Sequence, residues 1–364
     1  VIRGRTMAQT AGWRTAGCAP RSPPTPLPAL DMPPEYCVSE FDALDQYQKL
    51  RLVEVVQSEG ARHVAAYDAP RAGAVPGHSV RRASLVCDEM LDVLDGLDGA
   101  RVLVRGAQTP GAHAESLAYE LLARGAWVAY GREAHVSELS PTALALLHSS
   151  GCLALNVTVS SGSQRLLDTY YRHGFSTSQV AALTREARSA QVDALWTLHW
   201  PSPADDLHTL DETRRLVQRA RPAAIAAQRP ALACGSLWWQ APGDWGFRVS
   251  RRALAAWACG RGPAVPYRLS GWPGGRCHAK HGALDSALGQ SIVARPLTLA
   301  DWLVGDGLEV GGASGAGPAA WSAVLRGGQP ETLAAMVAAF NDGETLPDNV
   351  VPFAPLEPMP MAAN

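Results

Sequence analysis

GCLALNVTVSSGSQRLLD, residues 151–168, is the stretch that decides the fold of this chain. Residues 152–159 are an apolar run of strand length, with β-branched residues towards its end. Residues 160–163 then form a polar, glycine-containing turn, and a helical pattern follows. In α/β folds, free backbone N–H groups converge at such turns, and ligands bind there. The stretch therefore predicts one strand–helix unit with a candidate binding site in its turn.

The same strand-then-helix rhythm repeats on both sides of this unit. Ser140 and Ser176 suit the N-cap positions of two of the helices. Strands that alternate with helices at this spacing indicate a parallel sheet. We therefore predict an α/β fold, a partial (β/α)6 TIM-like barrel, with neighbouring strands at residues 52–56, 101–104, 127–130, 152–159, 194–199 and 223–227.

Changes of composition divide the chain into four segments. Residues 1–31 are rich in Pro, Arg and Thr and predict a disordered N-terminal arm. Residues 32–237 hold the strand–helix repeats and form the predicted barrel. Residues 238–346 are rich in Trp, Gly and Pro and predict an irregular C-terminal extension. Residues 347–364 predict a flexible tail.

Composition excludes several classes of partner. The 364 residues include 47% hydrophobic and 18% charged residues, and the formal net charge is −2. A nearly neutral chain gives no reason to expect binding to nucleic acid or to an anionic membrane. The seven cysteines are scattered without a C-x-x-C pair, which favours reduced thiols. No run is long enough to span a membrane, so we expect a cytoplasmic protein, from a bacterium of high GC content.

Four phrases of the sequence resemble those of one enzyme family. Residues 158–168, TVSSGSQRLLD, are similar to the G-(I/V)-E-S-G-S-Q-(R/E)-V-L-D of radical S-adenosylmethionine (SAM) enzymes, especially those with cobalamin-binding relatives. The phrases GFSTSQV (174–180), LHWPSPADD (198–206) and RPALACGSL (229–237) follow in the family's order. Together the resemblance covers roughly residues 52–237, about half of the chain. It implies the same partial barrel and, in an intact member, a 4Fe–4S cluster that binds SAM.

The cluster motif of that family is lost here. It is expected after the first strand, where the ligand positions fall on Ala61, Ala65 and Asp68. Alanine cannot bind iron, and one aspartate cannot replace three thiolates. The glutamate of the family's fourth strand has also become Ser160. We therefore expect no cofactor, neither a 4Fe–4S cluster nor SAM, and a SAM affinity weaker than about millimolar, since the few remaining hydrogen bonds net only about 0.5–1.5 kcal/mol each.

The candidate site is the top of the predicted barrel, where the strands end. The hydroxyl and N–H groups of the serines, together with the charge of Arg132, would suit a small anionic ligand. His63 or His199 could act as a general acid or base. The residues predicted to line it are His63, Tyr67, Arg132, Ser160, Ser161, Ser163 and His199.

These observations favour a radical SAM-like pseudoenzyme. We expect it to pair with an active radical SAM enzyme, or to bind a small-molecule or peptide substrate, in a specialised biosynthetic pathway. One alternative is an enzyme of another class that uses His63, Asp68, Arg132 or His199 for acid–base chemistry. A second alternative is a radical SAM enzyme, methyltransferase-like, whose cluster ligands are not apparent in the sequence. Fold alone does not decide between them.

Overall fold

A computed structural model describes most of the predicted barrel. The described residues are 52–59, 65–68, 78–96, 101–228, 230, 232, 236–250 and 252, with short pieces at 2–3, 267–269, 293–294, 299, 303, 308–310 and 350–352. Apart from the short pieces, the proposed N-terminal arm, most of the C-terminal extension and most of the tail lie outside these residues. So do Ala61 and His63.

Six strands form the body of one parallel sheet and pair in the order of the chain. Two-residue strands, Ile2–Arg3 and Val293–Ala294, add to its two edges, and among the described strands the sheet does not close into a barrel. The prediction of an α/β fold with neighbouring parallel strands is confirmed. The strands are β1 (Leu52–Val56), β2 (Arg101–Arg105), β3 (Tyr130–Ala134), β4 (Cys152–Ser160), β5 (Asp193–His199) and β6 (Ala224–Gln228).

Helices follow the strands as predicted. The side chain of Ser140 accepts the N–H of Ala143, and Ser176 forms a reciprocal capping box with Gln179, so both predicted N-caps are confirmed. The short helix α4 continues into a π-helical turn, Leu167–Tyr171. The helices are α1 (Ala83–Gly96), α2 (Gly111–Ala123), α3 (Pro141–Ser149), α4 (Gln164–Leu166), α5 (Thr177–Ser189), α6 (Leu207–Ala220) and α7 (Leu237–Gln240).

The two faces of the sheet differ in chemistry. One face packs against the helices in the hydrophobic core, with alternate residues such as Val53, Val102 and Leu155 fully buried. Side chains alternate between faces along a strand, and residues paired in register share a face. The face away from the helices therefore carries Glu133 and Asn156, which pair across β3 and β4. This second face, called the inner face below, is where the polar strand residues collect.

The boundary of β3 differs from the prediction. The apolar residues 127–130 were expected to form the strand, but its pairing begins at Tyr130 and runs to Ala134. The strand thus includes Arg132 and Glu133, two charged residues that a search for apolar runs passes over. Arg132 is buried on the helix side and Glu133 lies on the inner face, so a strand covered on both sides accommodates both charges.

Candidate functional site

The turn after β4 is built from serines whose backbone is used inside the protein. The N–H of Ser161 donates to the Val159 carbonyl, and the N–H of Ser163 donates to Ser161 Oγ. The N–H of Gly162 donates to Thr213 Oγ1 on α6, and a side chain at this glycine would meet Thr213 Cα at 2.3 Å. The three N–H groups of this turn therefore do not form the anion cradle that the sequence suggested.

Ser160 itself has an unusual conformation. Its φ is 63°, in the left-handed region that non-glycine residues rarely adopt. Its side chain is buried, and its Oγ lies 2.7 Å from Nε2 of His173. Ser160 therefore ends β4 with a hydroxyl bound to a histidine that lies 13 residues further along the chain.

Aromatic rings pack around this hydrogen bond. The His173 ring stacks with the ring of Tyr171, at 5.8 Å, and with that of Phe175, at 4.8 Å. Tyr67 meets the His173 ring at 5.7 Å and the His199 ring at 4.7 Å, both edge to face. Such contacts fix ring orientation as well as burying apolar surface. We call the whole group the aromatic cluster; its members are Tyr67, Tyr170, Tyr171, His173, Phe175, His199, Trp238, Trp245 and Phe247.

Residues 65–68 form a turn that is fastened to this cluster. Ala65 and Ala66 are buried, and the Ala66 N–H donates to the Tyr171 carbonyl at 2.9 Å. The backbone N–H of Trp238 donates to the Ala66 carbonyl at 3.3 Å. Within the turn, Asp68 Oδ2 accepts the Ala65 N–H at 2.9 Å. The turn is thus held by backbone bonds on both sides, and the Asp68 carboxylate is used to close it.

These two ligand positions do not fit an iron–sulfur cluster. The methyl group of Ala65 has no ligand atom, and Asp68 is engaged by the backbone of the turn. Burial is the main cause that raises the pKa of Asp68, and the Ala65 N–H opposes it. Within the described ranges, no group of three His, Cys, Asp or Glu side chains is placed to hold a metal ion. We therefore derive no chemistry through a cluster.

Burial keeps the histidines of the cluster neutral at physiological pH. It lowers the pKa of His173 to about 3, with His199 and His135 adding to the shift, and it lowers the pKa of His199 to about 4. Burial, with the charge of Asp68, raises the pKa of Tyr67, and the nearby Ser160 hydroxyl opposes this shift. At neutral pH the imidazoles accept or donate hydrogen bonds without carrying charge.

The inner face continues from His199 as a row of polar groups. Thr197 Oγ1 donates to Asn156 Oδ1 at 3.1 Å, and Arg105 Nε lies 3.2 Å from Glu133 Oε1. His199, the last residue of β5, shares this face, and its Nδ1 is buried without a partner among the described residues. The row therefore places hydrogen-bonding groups with nearly balanced charge on the inner face, which the side chains of Leu299 and Leu303 contact at Gly131.

Arg132 is not part of this site. Its side chain is 1% exposed on the helix-facing side of β3, opposite the inner face. Among the described residues its Nε and Nη1 have no hydrogen-bond partner, and burial lowers its pKa. Arg132 was predicted to lie with the serines because it is close to the end of a predicted strand, a criterion that does not consider which face of the sheet a side chain occupies. The structure brings Tyr67, Ser160 and His199 together and leaves Arg132 behind the sheet.

Sequence reasoning missed two central residues. His173 follows the π-helical turn, where the aromatic pair Tyr170-Tyr171 was the only visible signal. Trp238 belongs to a segment that the sequence shows to be rich in tryptophan, but the sequence does not indicate which residues its side chain packs against. Both residues reach the strand ends through tertiary packing, which local patterns do not report.

Similarity to known proteins is found at the level of the fold and not of the sequence. No protein-family model matches the sequence, and no curated protein sequence matches it. No helix in the described part of the chain is long and apolar enough to cross a membrane. The structure is similar to several solved structures at low identity.

Three of these similar structures are of radical SAM enzymes. The methyltransferase TsrM from Kitasatospora setae, with a tryptophan substrate and a SAM analog bound, is 16% identical with a TM-score of 0.44, over 51% of this chain and 37% of that chain. The cobalamin-dependent enzyme OxsB, with aqua-cobalamin and SAM bound, is 12% identical with a TM-score of 0.42, over 54% and 30%. Coproporphyrinogen III oxidase (HemN) from Escherichia coli is 14% identical with a TM-score of 0.40, over 69% and 57%. The chain thus spans about a third of the length of TsrM and OxsB.

Proposed function

We propose that this chain is a radical SAM-like protein that holds no iron–sulfur cluster. In this proposal it acts as an accessory subunit of an active radical SAM enzyme, or binds that enzyme's small-molecule or peptide substrate, in a specialised bacterial biosynthetic pathway. It works in the cytoplasm. The observation that carries the proposal is the turn 65–68, where Ala65 is buried and Asp68 closes the turn on itself.

The described cysteines support this proposal because they lie away from the turn. Cys87 and Cys152 are buried in the hydrophobic core on the helix side of the sheet. Cys152 begins β4, at the strand end opposite the serine turn. Burial raises the pKa of Cys87 to about 11 and that of Cys152 to about 12. Iron binding requires thiolates, and these two thiols stay protonated.

The inner face supports the substrate-binding half of the proposal. Thr197 and Asn156 are paired with each other, and Arg105 is paired with Glu133, so the face carries polar groups without a strong charge of one sign. A ligand that fits such a surface is polar and close to neutral. An anion or a cation would be attracted by one member of the Arg105–Glu133 pair and repelled by the other.

The accessory role is tested by measuring turnover by a radical SAM enzyme encoded beside this chain's gene, with and without the chain.

The purified protein is expected to bind only background iron after anaerobic reconstitution with iron and sulfide. The reason is the absence of thiolates at the described ligand positions Ala65 and Asp68, and at Ala61 in the sequence. Iron and sulfide assays give the measurement. Near-stoichiometric iron with a broad thiolate-to-iron absorption band would contradict the proposal. The triple variant A61C/A65C/D68C is the matched control, and iron gained by it alone would support both the barrel scaffold and the lost motif.

SAM is expected to bind with a dissociation constant above about 1 mM, which corresponds to about 4 kcal/mol of binding free energy. Without a cluster to anchor the methionine end, only hydrogen bonds and ring contacts remain, and each hydrogen bond nets about 0.5–1.5 kcal/mol. Isothermal titration calorimetry of the wild-type protein gives the measurement. Saturable binding in the micromolar range would show that Ser160 and its neighbours retain a SAM site.

A further inference from the structure

The hydroxyl of Ser160 and the imidazole of His173 form the geometry of a nucleophile and its base. Ser160 Oγ lies 2.7 Å from His173 Nε2, within the 2.6–3.2 Å range that proton transfer requires. Both side chains are buried, at 2% and 6% exposure, so water does not compete for this hydrogen bond. The pair comes from the end of β4 and from the segment after the π-helical turn.

The backbone of Ser160 is strained in a way typical of reactive positions. A φ of 63° is strained for a residue with a Cβ, and such residues cluster at active sites. Ser160 occupies a sharp turn between a strand and a helix, the context in which nucleophilic serines of other folds project from the strand end. A glycine adopts a positive φ without strain, and Gly162 lies only two residues later, but the residue with the positive φ in this turn is Ser160.

His173 is oriented and kept neutral by its surroundings. The rings of Tyr171 and Phe175 both stack with its ring, with interplanar angles of 20° and 21°. The backbone N–H of His173 donates to the Leu167 carbonyl at 3.0 Å, which fixes the main chain. Burial lowers its pKa to about 3, so the ring is neutral while the turn 65–68 covers it, and displacement of that turn would return water to the imidazole and raise its basicity. The ring is therefore held as a base without a carboxylate partner.

Tyr67 covers the pair. Its ring centroid is 5.7 Å from that of His173, and its hydroxyl interacts with Ser160. The turn that carries it is attached by two backbone bonds, Ala66 N–H to Tyr171 and Trp238 N–H to Ala66. Displacement of this turn would remove the side chain that lies against the serine, which makes Tyr67 a positioning residue and a cover.

We propose that Ser160 is a nucleophile activated by His173, and that it takes up the acyl group of an activated ester once the turn 65–68 moves aside. Ser160 Oγ attacks the ester carbonyl carbon while its proton passes to His173 Nε2. The bond from that carbon to the leaving oxygen breaks, and the leaving group takes the proton from His173 as an alcohol. An acyl ester on Ser160 remains, and water hydrolyses it by the same proton transfers. This inference does not depend on the proposed pseudoenzyme function.

A fluorophosphonate probe tests the pair directly, because it reports attack by an activated serine with loss of fluoride. Tyr67→Ala is expected to react at Ser160 at least about 10-fold faster than the wild-type protein. Tyr119→Ala removes an exposed tyrosine from α2, away from the pair, and is expected to react at the wild-type rate. Adding His173→Phe to Tyr67→Ala is expected to slow labelling about 100-fold, the lower end of the contribution of a general base. Ser160→Ala should remove the label.

Peptide mapping by mass spectrometry locates the label, and circular dichroism shows that each variant is folded. A folded Tyr67→Ala protein without label at Ser160 would overturn the proposal. So would equal labelling with and without His173, which would make the contact structural. If Tyr67→Ala does not fold, the wild-type protein with p-nitrophenyl acetate replaces it. Acetylation of Ser160 in the wild-type protein but not in His173→Phe supports the proposal. The absence of acetyl-Ser160 from both proteins contradicts it. The labelling experiments do not measure iron binding, and the iron assay does not measure serine reactivity. Either proposal can therefore fail while the other stands.

Discussion

Trp238→Ala is expected to lower the free energy of unfolding by about 3–5 kcal/mol, the range for a large aromatic residue removed from a core. Trp238 is fully buried, and its ring centroid lies 5.1 Å from those of Tyr170 and Phe247 and 5.5 Å from that of Tyr67. Alanine would leave a cavity among rings whose paired contacts add to the loss. Urea denaturation followed by circular dichroism gives the measurement.

Two variants serve as controls for this prediction. Trp238→Phe keeps a ring and removes an indole N–H that has no partner among the described residues, so we expect a clearly smaller loss. Trp239→Ala removes the same residue type at the next position, which is only partly buried, and is expected to cost less than half as much. A loss below about 1 kcal/mol for Trp238→Ala would mean that residues 236–250 do not pack on the strand ends.

The consequence for function follows from the backbone bond between Trp238 and Ala66. This bond joins the tryptophan-rich segment to the turn that covers Ser160. Changes in the C-terminal segment can therefore reach the serine through residues 65–68. The segment is then part of the candidate site, although its composition predicted a separate C-terminal extension.

The sheet could be predicted from sequence because its strands are apolar and regularly spaced. β4 is the clearest case: six of the eight residues 152–159 are apolar and a serine turn follows, and the observed strand, Cys152–Ser160, matches. β3 was displaced because two of its five residues are charged. A strand covered on both faces has no polar–apolar alternation to reveal which side a charge occupies.

The same ambiguity explains the candidate site. Tyr67, Ser160 and His199 were predicted together because each ends or follows a strand, and parallel strands bring their ends to one edge. Arg132 was included on the same rule, although side-chain alternation places it on the helix side. His173 could not be found in this way, because its position depends on the π-helical turn and on the stacking of Tyr171 and Phe175.

Lowering the pH from 7 to 4 is expected to reduce the free energy of unfolding by about 3 kcal/mol. In the unfolded chain a histidine titrates at about 6.5, whereas the pKa of His173 is about 3 and that of His199 about 4 in the folded protein. Between these values the unfolded chain binds more protons, so stability falls as the pH falls below about 6.5. Each histidine contributes about 1.4 kcal/mol per pH unit within its window.

A buried carboxyl group partly offsets this loss. Asp205, 6% exposed, accepts the N–H of Ser202 and the hydroxyl of Thr209, and burial raises its pKa to about 6. An aspartate raised above its ordinary pKa of about 3.9 binds a proton more readily in the folded state, so it adds stability as the pH falls through 6. Two histidines outweigh one aspartate, and the net effect is that of about one histidine.

His173→Phe separates the histidine contribution from general acid effects. Phenylalanine keeps the ring contacts with Tyr171 and Phe175 but cannot be protonated, so the net slope of stability against pH between 6.5 and 4 should fall to near zero, because His199 and Asp205 then nearly cancel. The lost hydrogen bond to Ser160 lowers stability by about 1 kcal/mol at every pH and leaves the slope unaffected. Leu207→Ala, 75% exposed on the surface of α6, is the control and should keep the wild-type slope. Urea midpoints measured at pH 7, 5.5 and 4 decide the matter. Equal wild-type stability at pH 7 and 4, or an unchanged slope in His173→Phe, would show that His173 is accessible to protons, and the covered Ser160–His173 pair would lose its physical basis.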